Sequence, residues 1–145
     1  MKSKPFIVAL VAAMVVAAGA SIYLSATADR VDKTITAFPS PDGRYKAVRV
    51  ALSHGGTTPF CFYSISIFLS VYPNSFAENE KAYQVYAAPC ATPPKPADAP
   101  TVEWLSKNAV RITYSPAPAG LDHDKLRRRV IDASNYVHVS YVARR

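Results

Sequence analysis

The sequence predicts a mainly β fold: a single small antiparallel β-sandwich or curled sheet that follows an N-terminal transmembrane or signal helix. Three observations carry this reading. Between residues 62 and 72, Tyr63, Ile65, Ile67, Leu69 and Val71 alternate with Ser64, Ser66, Phe68 and Ser70, the period of two that sends successive side chains to opposite faces of a strand. Short β-branched and aromatic runs recur along the chain between proline and glycine signals, as in a protein built from hairpins. Ahead of them, residues 5–28 carry no charged side chain, and no polar face interrupts the stretch as it would in an amphipathic surface helix.

That leader divides the chain into residues 1–28, a membrane anchor or signal peptide, and residues 29–145, one exported β-rich domain of a length suited to a single core. About 20 apolar residues cross a hydrocarbon core of about 30 Å, so the run is long enough to stay in the membrane. It parses equally as a signal peptide, with Ala26-Thr27-Ala28 as a small-x-small cleavage site and Ala18-Gly19-Ala20 as a second. Lys2 and Lys4 precede the run, whereas the charges of Asp29, Arg30, Asp32 and Lys33 nearly cancel after it. The positive flank therefore stays inside. The expected location is the inner (cytoplasmic) membrane with the C-terminal domain outside the cytoplasm, or, after cleavage, the periplasm or the medium.

Along the exported part, 34–38 reads as a short strand, and Pro39-Ser40-Pro41-Asp42-Gly43 as a tight turn. Residues 44–52 form the next strand, with Val48, Val50 and Leu52 on one face and Arg44 and Lys46 sharing that parity near the turn. The odd face of 62–72 is expected in the core, and Tyr83, Val85 and Ala87 give a weaker second alternation that pairs with it as a hairpin. Setting Cys61 opposite Cys90 aligns Ile65 with Tyr86. A shift by one aligns Ile65 with Val85 and buries better, so a bulge or twist near the cysteines is expected. Pro93, Pro94, Pro96 and Pro100 make 91–100 a surface crossover. Residues 102–105 and 109–114 read as a strand pair with Trp104 anchoring the core, 121–131 as a helical turn or irregular chain, and 136–142 as a closing strand.

Cys61 and Cys90 are the only cysteines. Both fall in the exported part, where oxidising conditions let a disulfide persist. C-x-x-C spacing and a further thiol or imidazole at ligand spacing are both missing, which disfavours redox catalysis and a metal pair. The whole chain carries +7, and removing Lys2 and Lys4 leaves +5 on the exported part. Export removes nucleic acid from the partners such a charge would otherwise suggest, and leaves lipid headgroups or anionic envelope polymers.

The candidate ligand loop is His54-Gly55-Gly56-Thr57-Thr58, a ring beside exposed backbone amides. Glycine also serves positive φ in hairpin connections. Lys125, Arg127, Arg128 and Arg129 are candidate contacts to an anionic surface, with Arg144 and Arg145 at the end of the chain as further bases. Asp122-His123-Asp124 holds metal-competent groups, but neighbouring side chains diverge on strand or helix and rarely converge on one ion. No G-x-S-x-G elbow, H-E-x-x-H helix or G-x-x-x-x-G-K loop occurs. Catalytic residues, metals and cofactors are therefore not expected. The many tyrosines, among them Tyr63, Tyr83, Tyr86, Tyr114, Tyr136 and Tyr141, fall on predicted strands, where aromatics pack across pleated surfaces.

Ser40-Pro41-Asp42-Gly43-Arg44-Tyr45, then Gly55-Gly56-Thr57-Thr58, then Trp104 with Val110-Arg111-Ile112 form an ordered series. It resembles a group of small membrane-tethered bacterial proteins of unknown function that show S-P-[DN]-G-x-Y, G-G-x-T and W-x-x-x-x-x-V-x-I motifs. The resemblance implies an N-terminal membrane segment and a β-rich exported domain, and it carries over no catalytic residue. The function expected is that of a noncatalytic envelope protein, tethered through residues 5–28 and serving protein interaction or an accessory role. An exported binding module for an anionic ligand or envelope polymer, and a small secreted hydrolase, are the alternatives.

Overall fold

The computed structural model describes residues 31–116 and 126–144. The apolar run 5–28, the Asp122-His123-Asp124 triplet and Lys125 lie outside them. Among the described residues no helix is long and apolar enough to cross a membrane.

The chain is mainly β. Strands β1 (Val31–Pro39), β2 (Tyr45–His54), β3 (Phe60–Leu69), β4 (Gln84–Pro89) and β7 (Arg127–Arg128) form a five-stranded antiparallel sheet in the order β1-β2-β3-β4-β7. Strands β5 (Thr101–Ser106), β6 (Ala109–Tyr114) and β8 (His138–Ala143) form a second sheet in the order β5-β6-β8. A short helix, α1 (Phe76–Asn79), and a 3-10 turn (Lys81–Tyr83) link β3 to β4.

One pairing departs from the antiparallel expectation: β6 and β8 run parallel. Parallel neighbours need a long crossover between them. Here the chain leaves β6, contributes β7 to the other sheet, and returns to place β8 beside β6. Arg127 and Arg128 pair with Ala87 and Tyr86, so within 121–131, read as a helical turn or irregular chain, these two residues form a short strand.

The turn between β1 and β2 is closed by its own side chains. Ser40 Oγ donates to Asp42 Oδ1 at 2.7 Å and accepts from the Tyr45 N–H at 3.0 Å. Gly43 takes φ 68°, a conformation that side chains with Cβ rarely adopt. The Ser40 hydroxyl, then the Arg44 N–H, hold the Asp42 carboxyl below its ordinary range.

β2 is central, paired on one edge to β1 and on the other to β3, and both its faces are covered. Tyr45 and Ala47 join Tyr63, Ile65, Ile67, Val85, Tyr86, Val110, Ile112, Val137 and Val139 in the main core, which both sheets supply. Val48 and Val50, on the apolar face read from the sequence, meet Phe68 and Ala77 in a smaller cluster under α1. The even face of β3 is buried there too, where alternation alone had suggested one buried side. Val71, expected in the core, is 82% exposed, because β3 ends at Leu69 and the Tyr72 N–H turns back to the Leu69 carbonyl.

The β3–β4 hairpin uses both expected registers in succession. Phe62 faces Pro89 and Ile65 faces Tyr86, then a bulge puts Ser66 opposite Gln84. The bulge lies in mid-hairpin, beyond the register that the cysteines set. It leaves Val85 without a β3 partner. The Val85 carbonyl faces the other edge of β4, where it accepts from the Arg129 N–H at 2.8 Å and from the Tyr141 hydroxyl of β8 at 2.8 Å, a hydrogen bond between the sheets.

Asp132 ties down the turn before β8. It is 1% exposed, and each carboxylate oxygen is satisfied. Oδ1 accepts from the N–H groups of Tyr136 at 2.9 Å and Val137 at 2.8 Å, and Oδ2 from the N–H of Ser134 at 3.0 Å and its hydroxyl at 2.6 Å. Removing the carboxylate orphans these donors, so Asp132→Ala is expected to lower stability by about 3 kcal/mol, with Asp132→Asn intermediate. Urea midpoints check this, and an Ala variant as stable as the parent contradicts it.

The cysteines are joined as expected. Cys61 and Cys90 have Cα atoms 5.0 Å apart and a sequence separation of 29, and the Cys90 N–H donates to the Cys61 carbonyl at 3.0 Å. In the chain-entropy account a loop of this length contributes about 3.5 kcal/mol. Replacing both cysteines by Ala is expected to cost that amount in denaturant unfolding against the oxidised parent; unchanged midpoints would exclude a stabilising bridge.

Candidate functional site

The two sheets differ in length. Ten-residue β2 and β3 extend about 33 Å and the six-residue strands of the second sheet about 20 Å at the rise of a strand. The shorter sheet covers one end of the longer one. There Trp104 Nε1 donates to the Phe38 carbonyl at 2.9 Å, Tyr45 stacks on Tyr136 at 5.4 Å, and the hydroxyls of Tyr45 and Ser134 lie 3.2 Å apart. Toward the opposite end, the same face is roofed by the proline-rich crossover instead.

The register identifies the floor beneath that crossover. Asp32 pairs with Ser53 and Ser53 with Cys61; Thr34 pairs with Ala51 and Ala51 with Tyr63. Apart from Tyr63 these are small side chains, and proline at 94 and 96 limits how closely the roof collapses onto them. A groove results, with three adjoining cavities along it. The mouth, about 460 Å³, is lined by Asp32, Ser53, His54, Gly55, Pro59 and Thr92 to Pro94. A middle cavity of about 170 Å³ shares Asp32, Ser53 and Pro94 and reaches Tyr63 and Pro96. A third, more open cavity of about 600 Å³ shares Thr34, Ala51, Tyr63 and Pro96 and ends at Arg49 and Arg144.

Two arginines fasten the roof. Arg49 donates through Nη1 to the Pro100 carbonyl at 2.8 Å, with its guanidinium 5.7 Å from the Phe38 ring. Arg144 donates to the carbonyls of Ala97 and Ala99. Arg144 was read from sequence as a base for anionic lipid; its hydrogen bonds are to the crossover backbone. Neither strap was legible, because both join residues far apart in the chain.

The candidate ligand loop lies at the groove mouth. His54 ends β2, half-buried, with its ring 5.6 Å from Phe60 in a stacked arrangement. Gly43 is the described glycine at positive φ, so the hairpin geometry expected of Gly55 and Gly56 is not what selects them. A Cβ on Gly55 would meet nothing within 4 Å. Thr57 and Thr58 are exposed.

Arg127, Arg128 and Arg129 are exposed, and each makes a local hydrogen bond. Arg127 and Arg129 donate to the carbonyls of Lys81 and Ala82 at 3.4 and 2.7 Å. Arg128, of opposite parity, donates to the Tyr114 hydroxyl at 2.6 Å and lies 5.2 Å from that ring. A second shared cavity of about 520 Å³ touches Lys81, Arg127 and Arg128. His138 is solvent-facing, as expected. Among the described residues no group of three or more His, Cys, Asp or Glu is placed to hold a metal.

The tyrosines pack as expected, except that Tyr83 sits in the 3-10 turn and serves the smaller cluster. Tyr86 approaches Tyr114 at 5.8 Å and Tyr141 at 6.3 Å. Burial, reinforced by the neighbouring Tyr114, pushes the Tyr86 hydroxyl up to about 12. Burial also pushes Tyr141 to about 12, against the lowering effect of its hydrogen bond with Arg129. Tyr63 is raised by burial, with Arg49 opposing and Asp98 adding to the rise.

Comparisons with family models, curated proteins and solved structures give no match. The groove therefore stands on its own geometry.

The raised tyrosines set an alkaline limit. The folded state keeps protons that unfolded tyrosines release near pH 10, so the contribution of Tyr86 and Tyr141 is complete below pH 10 and is lost as pH rises to about 12. Stability is expected to fall across that window, and Tyr141→Phe to fall less steeply while starting lower, having lost the hydroxyl that bridges the sheets. Denaturant titrations from pH 8 to pH 12 check this; parallel pH profiles for parent and variant would contradict it.

Proposed function

We propose that this chain is a noncatalytic binding module of the bacterial envelope, tethered by its N-terminal apolar segment, which recognises a partner protein through the groove beneath the proline-rich crossover. In this reading the two sheets pack as a small sandwich outside the cytoplasm. The single observation that carries the proposal is the run of adjoining cavities from the His54 mouth to Arg49 and Arg144. An open channel with small side chains below and prolines above suits an extended segment of another protein, since its side chains find room and the prolines lose little conformational entropy when covered. The disulfide is compatible with an oxidising compartment, and the resemblance to small membrane-tethered bacterial proteins agrees with the tether.

The anionic-ligand reading has less support. Asp32 places a carboxylate at the groove mouth, where it repels an anion, and Arg127 to Arg129 each give one donor to a local acceptor. The hydrolase reading would need a base aligned on a nucleophile; the half-buried His54 ring stacks on Phe60, and His138 faces solvent.

Photocrosslinking in native membranes tests the proposal. A benzophenone amino acid at exposed Thr92 is expected to capture a defined protein, while the same probe at exposed Ser106, at the far turn of the second sheet, captures none. Equal adducts at both positions, or none at Thr92, would remove the groove as the recognition surface.

A further inference from the structure

We propose that the loop end of the five-stranded sheet is a membrane-contact surface, seated on the phospholipid bilayer that holds the N-terminal segment. This goes beyond the binding reading and rests on the tether within it. The strand register supplies the geometry. Val31 pairs with His54 and His54 with Phe60, so the first residue of β1 and the two ends of the β2–β3 loop form one transverse row at one end of the sheet. The apolar run closes at Ala28. Three residue steps, about 10 Å of extended chain, separate it from Val31. With the run in a bilayer, this row cannot stand far from the lipid headgroups.

The chemistry of the row fits that neighbour. Val31 is 53% exposed and Phe60 42% exposed, with the His54 ring stacked beside Phe60. An aromatic with an adjacent polar ring suits the interface between headgroups and acyl chains. No Asp, Glu, Lys or Arg occurs between Arg49 and Glu78, so the loop approaches lipid without desolvating a formal charge. Lys33, two residues along β1, is already paired with Glu78 at 2.7 Å.

The opposite end of the sheet differs. Val71 and Tyr72 are exposed there as well, but Asp42 and Arg44 flank that end and Lys46 donates to the Tyr72 carbonyl at 2.6 Å. The β2–β3 loop, next to the leader, is the charge-free one; the nearest described charges are on β1, with Asp32 lining the groove mouth and Lys33 held by Glu78. Seated this way, the groove mouth at His54 and Pro59 opens beside the membrane, which restricts partners to those that approach along the bilayer.

Fluorescence quenching in lipid nanodiscs tests the contact on the full chain. Trp104 is the only tryptophan and is bonded to Phe38, about 23 Å along β1 from Val31 at the rise of a strand. It serves as an internal reference. In discs of acyl-brominated phospholipid, Phe60→Trp is expected to lose at least half of its added emission relative to unbrominated discs, while parent Trp104 emission is unchanged. Thr58→Trp, an exposed loop position, is expected to behave like Phe60→Trp and guards against a misfolded variant. Disc-bound protein with unquenched probes at both positions would overturn the contact and leave the tether and groove intact. Failure of the full chain to enter discs would overturn contact and tether together.

Discussion

The ten-residue antiparallel ladder between β2 and β3 is the constraint on which the rest of the molecule depends. It runs without interruption from Tyr45 opposite Leu69 to His54 opposite Phe60, and both of its faces are covered. One face meets the second sheet and the crossover; the other meets α1 and the 3-10 turn. Because the ladder is longer than any strand laid over it, a single covering sheet cannot close its main face. The remainder is roofed by chain rich in proline, which packs less closely than a strand over small side chains. The groove is thus a consequence of unequal strand lengths.

The covering elements are held by polar contacts to backbone groups at strand edges and turns. The Val85 carbonyl, on the β7 edge of β4, accepts from both Arg129 and Tyr141, joining β8 to β4. Asp132 organises the return into β8 by satisfying backbone donors that burial would otherwise leave unpaired. Arg49 and Arg144 do the same for carbonyls of the crossover, which has no sheet partner of its own. Each of these side chains meets a backbone group that secondary structure left over, and that shared role explains why charged and hydroxyl groups occur in or near the core.

Much of the fold was legible. Alternation located β3, proline and glycine located the turns, and compartment logic paired Cys61 with Cys90. Faces were harder to read. Val48 and Val50 are apolar because α1 covers them, yet the same alternation describes a strand with one buried side. The register could be narrowed to two alternatives from sequence, but that the strand uses both, with the bulge between Ile65 and Ser66, was not legible. His54 to Thr58 stood out as a candidate loop by composition. Its place at a groove mouth was not, since the facing residues Asp32 and Thr92 to Pro94 come from two other segments. The three arginines read as a run of bases, but their local acceptors, the carbonyls of Lys81 and Ala82 and the Tyr114 hydroxyl, were not legible.

By itself the sequence determined the local periods, the turns, the available disulfide and the uncharged run of residues 5–28, because each is written in neighbouring residues or in the chemistry of one residue type. Only the tertiary structure decided which face of β2 joined the main core, that β8 runs parallel to β6, and that a groove lies under the crossover. Those outcomes depend on the relative lengths of elements brought together from distant parts of the chain, and on which leftover backbone groups meet there, neither of which local pattern encodes.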